Sequence, residues 1–456
     1  MVAHCIAWPL TALSAEMAEQ KLSLANCIER ALKNATSAKK AEYNLKLQGA
    51  DVLRSYGSFL PRLSVSAGYT PYNLSRTYTT NAQYFSDAPP LKIKSENESV
   101  NFTLATSLNL FNGFHDYAAL QSSLDNKQAA SHTLAYALQS VAFDVTQAYY
   151  QALLNHELFD ISRENLLAAQ DQLTLTERQF QLGLKSMIDR YQQQADVAES
   201  RLSVIKAETR WQQSLLELLR RLQIEPETKI TLESSPDELK TEVFVKPDID
   251  SLVTVALNRR NDLKSKELET RVAKWQITEA RAQWYPSLDL KFNASTAGIE
   301  SMRQTYNGLT TQYAYPPLSD QLGNSIGYSV ALNMSWALFD GFQTSYNVQS
   351  AKVNQMSKLL DLADLKRNIV IDLRLAAGEY TSAFSQIETA RVSLKAAHAA
   401  FEGIKKKYEL GAASFIELST ARAALFNARS TLSQATYNLE LQKNVLDFTM
   451  GKITLP

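Results

Sequence analysis

The chain has 456 residues, with 47 basic and 47 acidic side chains and therefore no formal net charge. This balance argues against nucleic-acid binding, because nucleic-acid-binding proteins carry a basic excess or a basic stripe. Cys5 and Cys27 are the only cysteines, too few for a disulfide framework or a cysteine-rich zinc site. With only 14 glycines and 12 prolines, most of the chain is predicted to be helical. No run approaches the roughly 18 apolar residues of a membrane-spanning helix, so any insertion into a membrane is predicted to use strands.

The N-terminal residues raise the question of processing. Residues 1–18 hold a short apolar run followed by small residues, which resembles the end of a secretory signal. The usual positive region is missing, so either the natural start lies upstream or the resemblance is accidental; we expect a truncated signal segment. Cys27 follows a sequence that resembles a lipidation box, but Asn26 fits that box poorly. We therefore interpret Cys27 as a packed residue of an amphipathic helix.

Sequence motifs recur along the chain at a spacing of roughly 225 residues, which indicates an internal repeat. The recurring pairs are Phe59 to Leu63 with Trp284 to Leu288, Ser107 to Phe114 with Ser335 to Phe342, Gln179 to Gly183 with Lys407 to Gly411, and Lys229 to Leu232 with Lys452 to Leu455. The pattern predicts a first repeat over 19–225, a linker over 226–247 and a second repeat over 248–456.

Each repeat contains two segments in which apolar and small or polar residues alternate, as in strands with one apolar face. Long polar loops, at about 71–99 and 298–324, join the two strands of each pair, and aromatic residues stand at the strand ends. These features are typical of a transmembrane β-barrel, although a soluble sandwich with one wet face is the alternative. The predicted strands cover about residues 62–70, 99–111, 287–297 and 325–339.

Long helical segments make up most of the remainder. No glycine or proline lies between Gly113 and Gly183, and a continuous helix of that span would reach roughly 100 Å. The helices after Gly183 and Gly411 carry a heptad seam, which predicts coiled-coil hairpins. The seam residues are Leu418, Leu425, Leu432, Leu439 and Leu446 with Ala421, Ala428 and Ala435 between them in the second copy, and Val197, Val204, Trp211 and Leu218 in the first.

Four strands cannot close into a barrel, and unpaired strand edges do not survive in lipid. The barrel interpretation therefore requires a ring of identical chains. A trimer would supply twelve strands, enough to enclose an aqueous lumen.

Each repeat runs in the same order: helix, Leu-Pro-x-Leu type strand, second strand, Leu-Phe-Asn/Asp-Gly-Phe, long helix, Leu-Gly turn and long helix. This doubled order, from Leu22 to Pro456, resembles the TolC family of outer-membrane efflux proteins. The resemblance implies a mainly α fold with a twelve-stranded β-barrel shared by a homotrimer and a periplasmic tunnel of long coiled-coil helices. It also implies an equatorial belt, to which the two Lys-Ile-Thr-Leu segments, the 226–247 linker and short helices near 24–33 and 248–258 would contribute.

The two helical turns are the candidate functional sites. Each ends in Ser-x-x-acid, in Ser186 with Asp189 and in Ser414 with Glu417, which by itself predicts a capping box at the start of the returning helix. The family resemblance implies in addition that the turns, near 183–187 and 411–415, form a periplasmic gate and dock an adaptor. Both interpretations can hold together.

The resemblance assigns roles to individual residues, which we list as expectations. Glu417 matches an acidic gate residue and Tyr408 a gate tyrosine, whereas Thr420 stands where a second acid is expected and Ala413 where an arginine is expected. Lys185 is expected to replace the missing cation in part. The predicted gate residues are thus Glu417, Tyr408, Thr420, Asp189 and Lys185, and the predicted adaptor-docking residues are Leu182, Gly183, Leu184, Ser186, Leu410, Gly411 and Ser414.

The sequence does not favour an enzyme. Its histidines lack the spacing of a zinc site, and nucleotide-binding and nucleophile motifs are missing, so no catalytic residue, metal or cofactor is expected; the histidines are His4, His115, His132, His156 and His398. The expected function is an exit duct of a tripartite efflux pump or a type I secretion system in the outer membrane. Its expected partners are a periplasmic adaptor, an inner-membrane pump, either ABC-type or proton-driven, and membrane lipid. A periplasmic or cytosolic coiled-coil scaffold is the alternative, and a metal-efflux channel has no Met or His cluster to support it.

Overall fold

The computed structural model describes residues 20–79, 91–228, 230–233, 247–306 and 308–453. The predicted signal segment and Cys5 lie outside these residues. The chain divides into two compact units, one from residues 1–45, 129–266 and 361–456 and one from 46–128 and 267–360, within the described ranges. Each unit draws on both sequence repeats, so the division by repeats stays a prediction.

The described residues include nine α-helices and seven strands. The helices are α1 Leu24–Asn34, α2 Thr36–Gly57, α3 His115–Gln181, α4 Met187–Leu222, α5 Ile249–Arg259, α6 Asn261–Arg281, α7 Leu318–Asn324, α8 Gln343–Glu409 and α9 Phe415–Thr449. The strands are β1 Gln20–Leu22, β2 Arg62–Thr79, β3 Leu91–Asn112, β4 Ile230–Leu232, β5 Ser287–Tyr306, β6 Leu309–Tyr313 and β7 Gly327–Ser335. The prediction of a mainly helical chain with amphipathic strands is confirmed. None of the described helices is long and apolar enough to cross a bilayer.

The largest core of the first unit joins α1, α3 and α4. Cys27 and Ala31 are fully buried against side chains that include Val145 and Leu218. Burial raises the pKa of the Cys27 thiol to about 11, so the thiol stays protonated and unreactive at neutral pH. The interpretation of Cys27 as a packed helix residue is confirmed.

A small parallel sheet borders this core. β1 and β4 pair from Gln20 with Ile230 to Leu22 with Leu232. The Tyr149 hydroxyl donates to the Glu233 carbonyl at 2.6 Å and also lies 3.2 Å from the Leu22 carbonyl oxygen. The first Lys-Ile-Thr-Leu segment therefore supplies β4, with Lys229 outside the described residues. The second segment is described only to Ile453 and is not in a strand.

The seam of the α8–α9 hairpin is largely apolar, as predicted. All the predicted α9 seam residues are buried except Leu432, which is partly buried. The α4 seam differs from its prediction: Leu218 is buried, but Val197, Val204 and Trp211 are only half-buried. Gln193, Ser200 and Ser214 are buried there instead, and they lie four residues before Val197, Val204 and Leu218 on the packed stripe of α4. The α3–α4 hairpin is thus partly polar inside.

The second unit is built on an antiparallel sheet in the order β2-β3-β5-β6, with β7 also paired to β5. β2, β3 and β5 are longer than predicted, because polar residues continue the ladder beyond the apolar segments. The first predicted loop, 71–99, therefore contains the end of β2 and the start of β3, and its residues 80–90 lie outside the described residues. The second contains β6 and α7, and β7 ends at Ser335, before the predicted 339.

One side chain completes the ladder where β5 has no strand on the side away from β3. On β5, the pairing with β7 ends at Ser295 and the pairing with β6 begins at Met302. Between them, the Gln321 amide of α7 donates to the Ile299 carbonyl and accepts from the Ile299 N–H, each at 2.9 Å. Gln321 thereby imitates a paired strand and satisfies an edge that would otherwise be open.

The turn from strand to long helix has the same conformation in both copies. Gly113 and Phe114 have φ of 66° and 68°, and Gly341 and Phe342 have φ of 65° and 69°. A Cβ on Gly113 would lie 2.3 Å from the Ala282 carbonyl oxygen, so this glycine is also required sterically. The preceding side chains, Asn112 and Asp340, accept from backbone N–H groups four residues later at 3.3 and 2.8 Å. These bonds explain the repeated Phe-Asn/Asp-Gly-Phe motif.

Candidate functional site at the helical hairpin tips

The two turns that join the long helices of the first unit have matching hydrogen bonds. At the first tip, the Gly183 N–H donates to Phe180 at 2.9 Å and the Leu184 N–H donates to Gln179 at 2.8 Å. At the second tip, the corresponding bonds from Gly411 to Tyr408 and from Ala412 to Lys407 measure 3.0 and 2.8 Å. Both glycines have φ of 75°. This is the Schellman arrangement, which favours glycine because of its left-handed backbone.

A capping box starts each returning helix, so the capping interpretation is confirmed. Ser186 Oγ accepts from the Asp189 N–H at 3.2 Å, and the Asp189 carboxylate accepts from the Ser186 N–H at 3.0 Å. Ser414 and Glu417 make the same two bonds at 3.2 and 2.7 Å. Hydrogen bonds from the Ser186 side chain and backbone lower the pKa of Asp189, and those from the Ser414 backbone and side chain lower the pKa of Glu417. Both carboxylates are therefore charged at neutral pH.

Lys185 connects the two hairpins. Its ammonium lies 4.5 Å from the centroid of the Tyr408 ring, a cation–π geometry. Its charge also lowers the pKa of Asp189, after the larger effect of the Ser186 hydrogen bonds. Tyr408 is buried in a cluster with Phe415 and Leu418. Its hydroxyl has no hydrogen-bond partner among the described residues.

The remaining predicted gate residues lie at the surface of the single chain. Glu417 and Thr420 are exposed, and Ala413 is half-buried beside the Tyr408 cluster. Glu417 is engaged by its own N-cap serine. The structure therefore brings together Lys185, Asp189 and Tyr408, whereas the gate roles stay predictions.

Large apolar side chains at both tips point into solvent. Leu182, Leu184 and Leu410 are 74%, 70% and 84% exposed, and Ile188 and Ile416 are 69% and 63% exposed. Exposed apolar residues on a conformationally fixed turn are suited to contact another protein. The docking role of these turns, including the glycines and the capping serines, stays a prediction.

A buried ion pair near the tips was not predicted from the sequence. The Arg422 guanidinium of α9 is bonded to the Asp196 carboxylate of α4, and only 6% of Arg422 is exposed. The Gln193 amide also donates to Asp196, at 3.3 Å, and to the Ala169 carbonyl, at 3.0 Å. In the sequence, Arg422 follows the predicted seam position Ala421, and a charged residue at that place could have indicated a buried ion pair. Its partner could not be identified, because it lies on another hairpin.

Further polar contacts join α9 to α3. Arg429 lies 2.6 Å from Glu164, and the Ser433 hydroxyl donates to Glu157 at 2.6 Å. Arg422 and Arg429 stand seven residues apart, so both use the same face of α9. Within the described ranges, no group of three His, Cys, Asp or Glu residues is arranged to hold a metal ion.

Comparison with known proteins supports one family. The chain matches the outer membrane efflux protein family over residues 27–222 and 252–452. It is 25% identical over 437 residues to protein CyaE of Bordetella pertussis, covering 94% of this chain and 83% of CyaE. Identity to the outer membrane protein TolC of Escherichia coli is 22% over 357 residues, with 76% of this chain and 69% of TolC covered. The alkaline protease secretion protein AprF of Pseudomonas aeruginosa is 24% identical over 386 residues, covering 84% of this chain and 74% of AprF.

Solved structures show the same fold. The outer-membrane channel OprN superposes with a TM-score of 0.78 at 18% identity, covering 95% of this chain and 91% of OprN. The outer membrane protein VceC of Vibrio cholerae superposes with a TM-score of 0.75 at 16% identity, covering 94% of this chain and 96% of VceC.

Proposed function

The chain belongs to the outer membrane efflux protein family, and on that premise we propose that three copies form the exit duct of a tripartite pump or a type I secretion system. The family is one of outer-membrane channels rather than enzymes. The proposed partners are a periplasmic adaptor and an inner-membrane pump. The relatives include both an alkaline protease secretion protein and an antibiotic efflux pump protein, so the class of cargo depends on the pump that the channel serves.

The amphipathic sheet is the observation that carries this proposal. On β3 and β5, residues such as Phe102, Leu104 and Leu290 point to one face, while Asn101, Thr103 and Asn293 point to the other. Among the described strands, β2 pairs only with β3, and β7 pairs only with β5. A sheet with an apolar face needs both edges closed before it can lie in lipid. Pairing β2 of one chain with β7 of the next supplies that closure. A coiled-coil scaffold would not need such a sheet.

Cross-linking of the two edges tests the trimer in the membrane. Cysteines at Ser66 on β2 and Ser329 on β7, in a chain with Cys5→Ser, should be joined between chains by a flexible bismaleimide. We expect a covalent trimer on a denaturing gel. A matched pair at Asn101 on β3 and Asn293 on β5 should give only intramolecular products, since those strands lie inside one sheet. Intermolecular products from the second pair, with none from the first, would contradict the edge pairing.

The same proposal fixes the orientation of the sheet. Long loops of such barrels face the outside of the cell, whereas the helical tips lie in the periplasm. Thr310, at the start of β6, is exposed. An impermeant maleimide should therefore label Thr310→Cys on intact cells, and Leu410→Cys at the second tip only after the outer membrane is ruptured. The reverse result would refute the orientation.

We further propose that the tips gate the duct. Lys185 partly replaces the arginine that the family resemblance places at Ala413. Its ammonium contacts the Tyr408 ring of the other hairpin, and its positive charge also lowers the pKa of Asp189. In a trimer, Glu417 would occur three times at the entrance, forming a ring of negative charge with Thr420 beside it. The apolar residues of the turns would dock the adaptor. The capping boxes support this proposal by holding the carboxylates in the ionised state.

A further inference from the structure

Along β3, the apolar face of the sheet changes to a charged surface at Glu98. On β3, even-numbered residues share this face, and Val100, Phe102 and Leu104 are followed toward the N-terminal end of β3 by Glu98, Glu96, Lys94 and Lys92. Both neighbouring strands carry an irregularity here, between Thr70 and Asn73 on β2 and opposite Glu98 and Ser99 on β5. Because the alternation along β3 continues through this region, the charged residues lie on the same side of the sheet as the apolar residues. This is the side that faces lipid in the proposed barrel.

Basic residues from three strands meet on this segment. Arg76 on β2 pairs in register with Lys94, and Arg303 on β5 pairs with Glu96. Side chains directly opposite each other in antiparallel strands have Cβ atoms about 5 Å apart. Lys92 lies over the Tyr78 ring at 5.9 Å from its centroid. We call Arg76, Lys92, Lys94 and Arg303 the basic collar.

Two acidic residues of this surface, Glu96 and Glu98, are already engaged, and a third, Glu300 on β5, is exposed near Tyr69. Glu96 lies 2.6 Å from the Lys94 ammonium and 3.9 Å from Arg303, and it accepts from the Tyr72 hydroxyl at 3.1 Å. Glu98 accepts from the Tyr69 and Ser301 hydroxyls. Glu96 therefore orients two collar cations, whose side chains remain 42% and 58% exposed. Arg76 is exposed on the β2 edge.

We propose that the basic collar binds the phosphate groups of a membrane lipid whose acyl chains cover the apolar face below it. This inference rests on the proposed orientation, in which the collar lies at the outer leaflet. Two features favour a lipid over a soluble anion. The collar is continuous with the apolar face, so one amphiphile can occupy both, and exposed Tyr69 and Tyr72 stand at the boundary, as aromatic residues do at membrane interfaces. Arginine and lysine supply charge-assisted hydrogen bonds to phosphate oxygens.

The test compares lipids that differ only in phosphate. The purified full-length trimer in mild detergent is titrated with a diphosphorylated glycolipid, with its dephosphorylated form and with inorganic phosphate, and bound lipid is counted by native mass spectrometry. The variant Arg76→Gln/Lys92→Gln/Lys94→Gln should lose roughly a hundredfold in affinity for the phosphorylated lipid, on the scale of the attraction between basic residues and anionic lipid surfaces. Its binding of the dephosphorylated lipid should not change.

Two controls keep the result interpretable. The variant Lys92→Arg/Lys94→Arg, which preserves charge, should bind like the wild type, and Lys39→Gln/Lys40→Gln/Lys395→Gln removes three charges from helices without touching the sheet. Equal loss for both lipids, loss in the helix variant, or binding of inorganic phosphate alone would overturn the collar. A wild-type trimer that conducts ions but shows no preference for the phosphorylated lipid refutes the collar and leaves the channel proposal intact. A monomer that binds neither lipid refutes the channel proposal itself.

Discussion

Lys185 and Tyr408 lie on different helical hairpins, and the Lys185 ammonium is 4.5 Å from the centroid of the Tyr408 ring. The contact joins the turn before α4 to the last turn of α8, close to the charged Asp189. A cation over an aromatic ring contributes about 0.5–1 kcal/mol when exposed and about 2 kcal/mol when desolvated. Because Tyr408 is buried, this contact is expected to help hold the two hairpins together at the tip, beside the Arg422–Asp196 pair.

Removing the Lys185 charge should therefore favour the open state of the channel. For Lys185→Gln we expect the open fraction in a planar bilayer to rise by about 2- to 30-fold, the range that corresponds to 0.5–2 kcal/mol. Lys185→Arg should keep the closed state, because a guanidinium also stacks on an aromatic ring. Lys206→Gln, an equal loss of charge elsewhere on α4, serves as the control. An open fraction that is the same in Lys185→Gln and Lys206→Gln would show that the contact does not hold the gate.

Three copies of Glu417 at the entrance should attract cations. We expect cation-selective currents in the purified channel and block by multivalent cations added from the tip side. Glu417→Ala should weaken that block, whereas Asp189→Ala should affect it less. The pKa of Glu417 is lowered by its bonds from Ser414, so the charged form persists below the ordinary pKa and the block should survive mild acid. Unchanged block with a less stable trimer would leave Glu417 with a capping role alone.

The capping boxes predict a pH-dependent fraying of the tips. The carboxyl groups of Asp189 and Glu417 have lower pKa values in the folded state, so their stabilising effect is present at neutral pH and lost as pH falls through those values. The protection factors of the amides in the first turns of α4 and α9, which are corrected for the slower intrinsic exchange in acid, should fall as pH is lowered. Ser186→Ala should raise exchange in α4 at neutral pH, at a cost of about 0.5–2 kcal/mol. Ser203→Ala, within α4, is the control. Equal exchange in both variants would argue against the capping contribution.

The Arg422–Asp196 pair should stabilise the contact between hairpins. Asp196→Asn leaves a buried guanidinium without its anionic partner, a loss of about 1–3 kcal/mol. Arg422→Met removes the buried charge, and Asp196, whose side chain is 21% exposed and still accepts from Gln193, keeps a partner and some water, so this variant should cost less. Hydrogen exchange in α4 and α9 near these residues gives the comparison, with Arg429→Met, at a more exposed pair, as the control. A greater loss in Arg422→Met than in Asp196→Asn would contradict this account.

Local patterns in the sequence predicted the features that depend on neighbouring residues. The Leu and Ala seam of α9 and the Ser-x-x-acid caps both follow from helical spacing, and both are present. Features that depend on distant residues were not predictable. Gln321 completes the ladder at Ile299, Lys185 reaches Tyr408, and Arg422 reaches Asp196, in each case across a separation that no local pattern encodes. β2, β3 and β5 ran beyond their predicted ends because polar residues extend a ladder as readily as apolar ones, whereas β7 ended before its predicted end.

The native mass of the purified protein tests the central claim most directly, since a sheet with two open edges can lie in lipid only as part of a closed ring. In a mild detergent, native mass spectrometry should show one species with the mass of three identical chains, each 51.0 kDa before any processing. The trimer should persist in Lys185→Gln, which changes the gate and not the sheet. A monodisperse monomer that keeps its helical content would contradict the account.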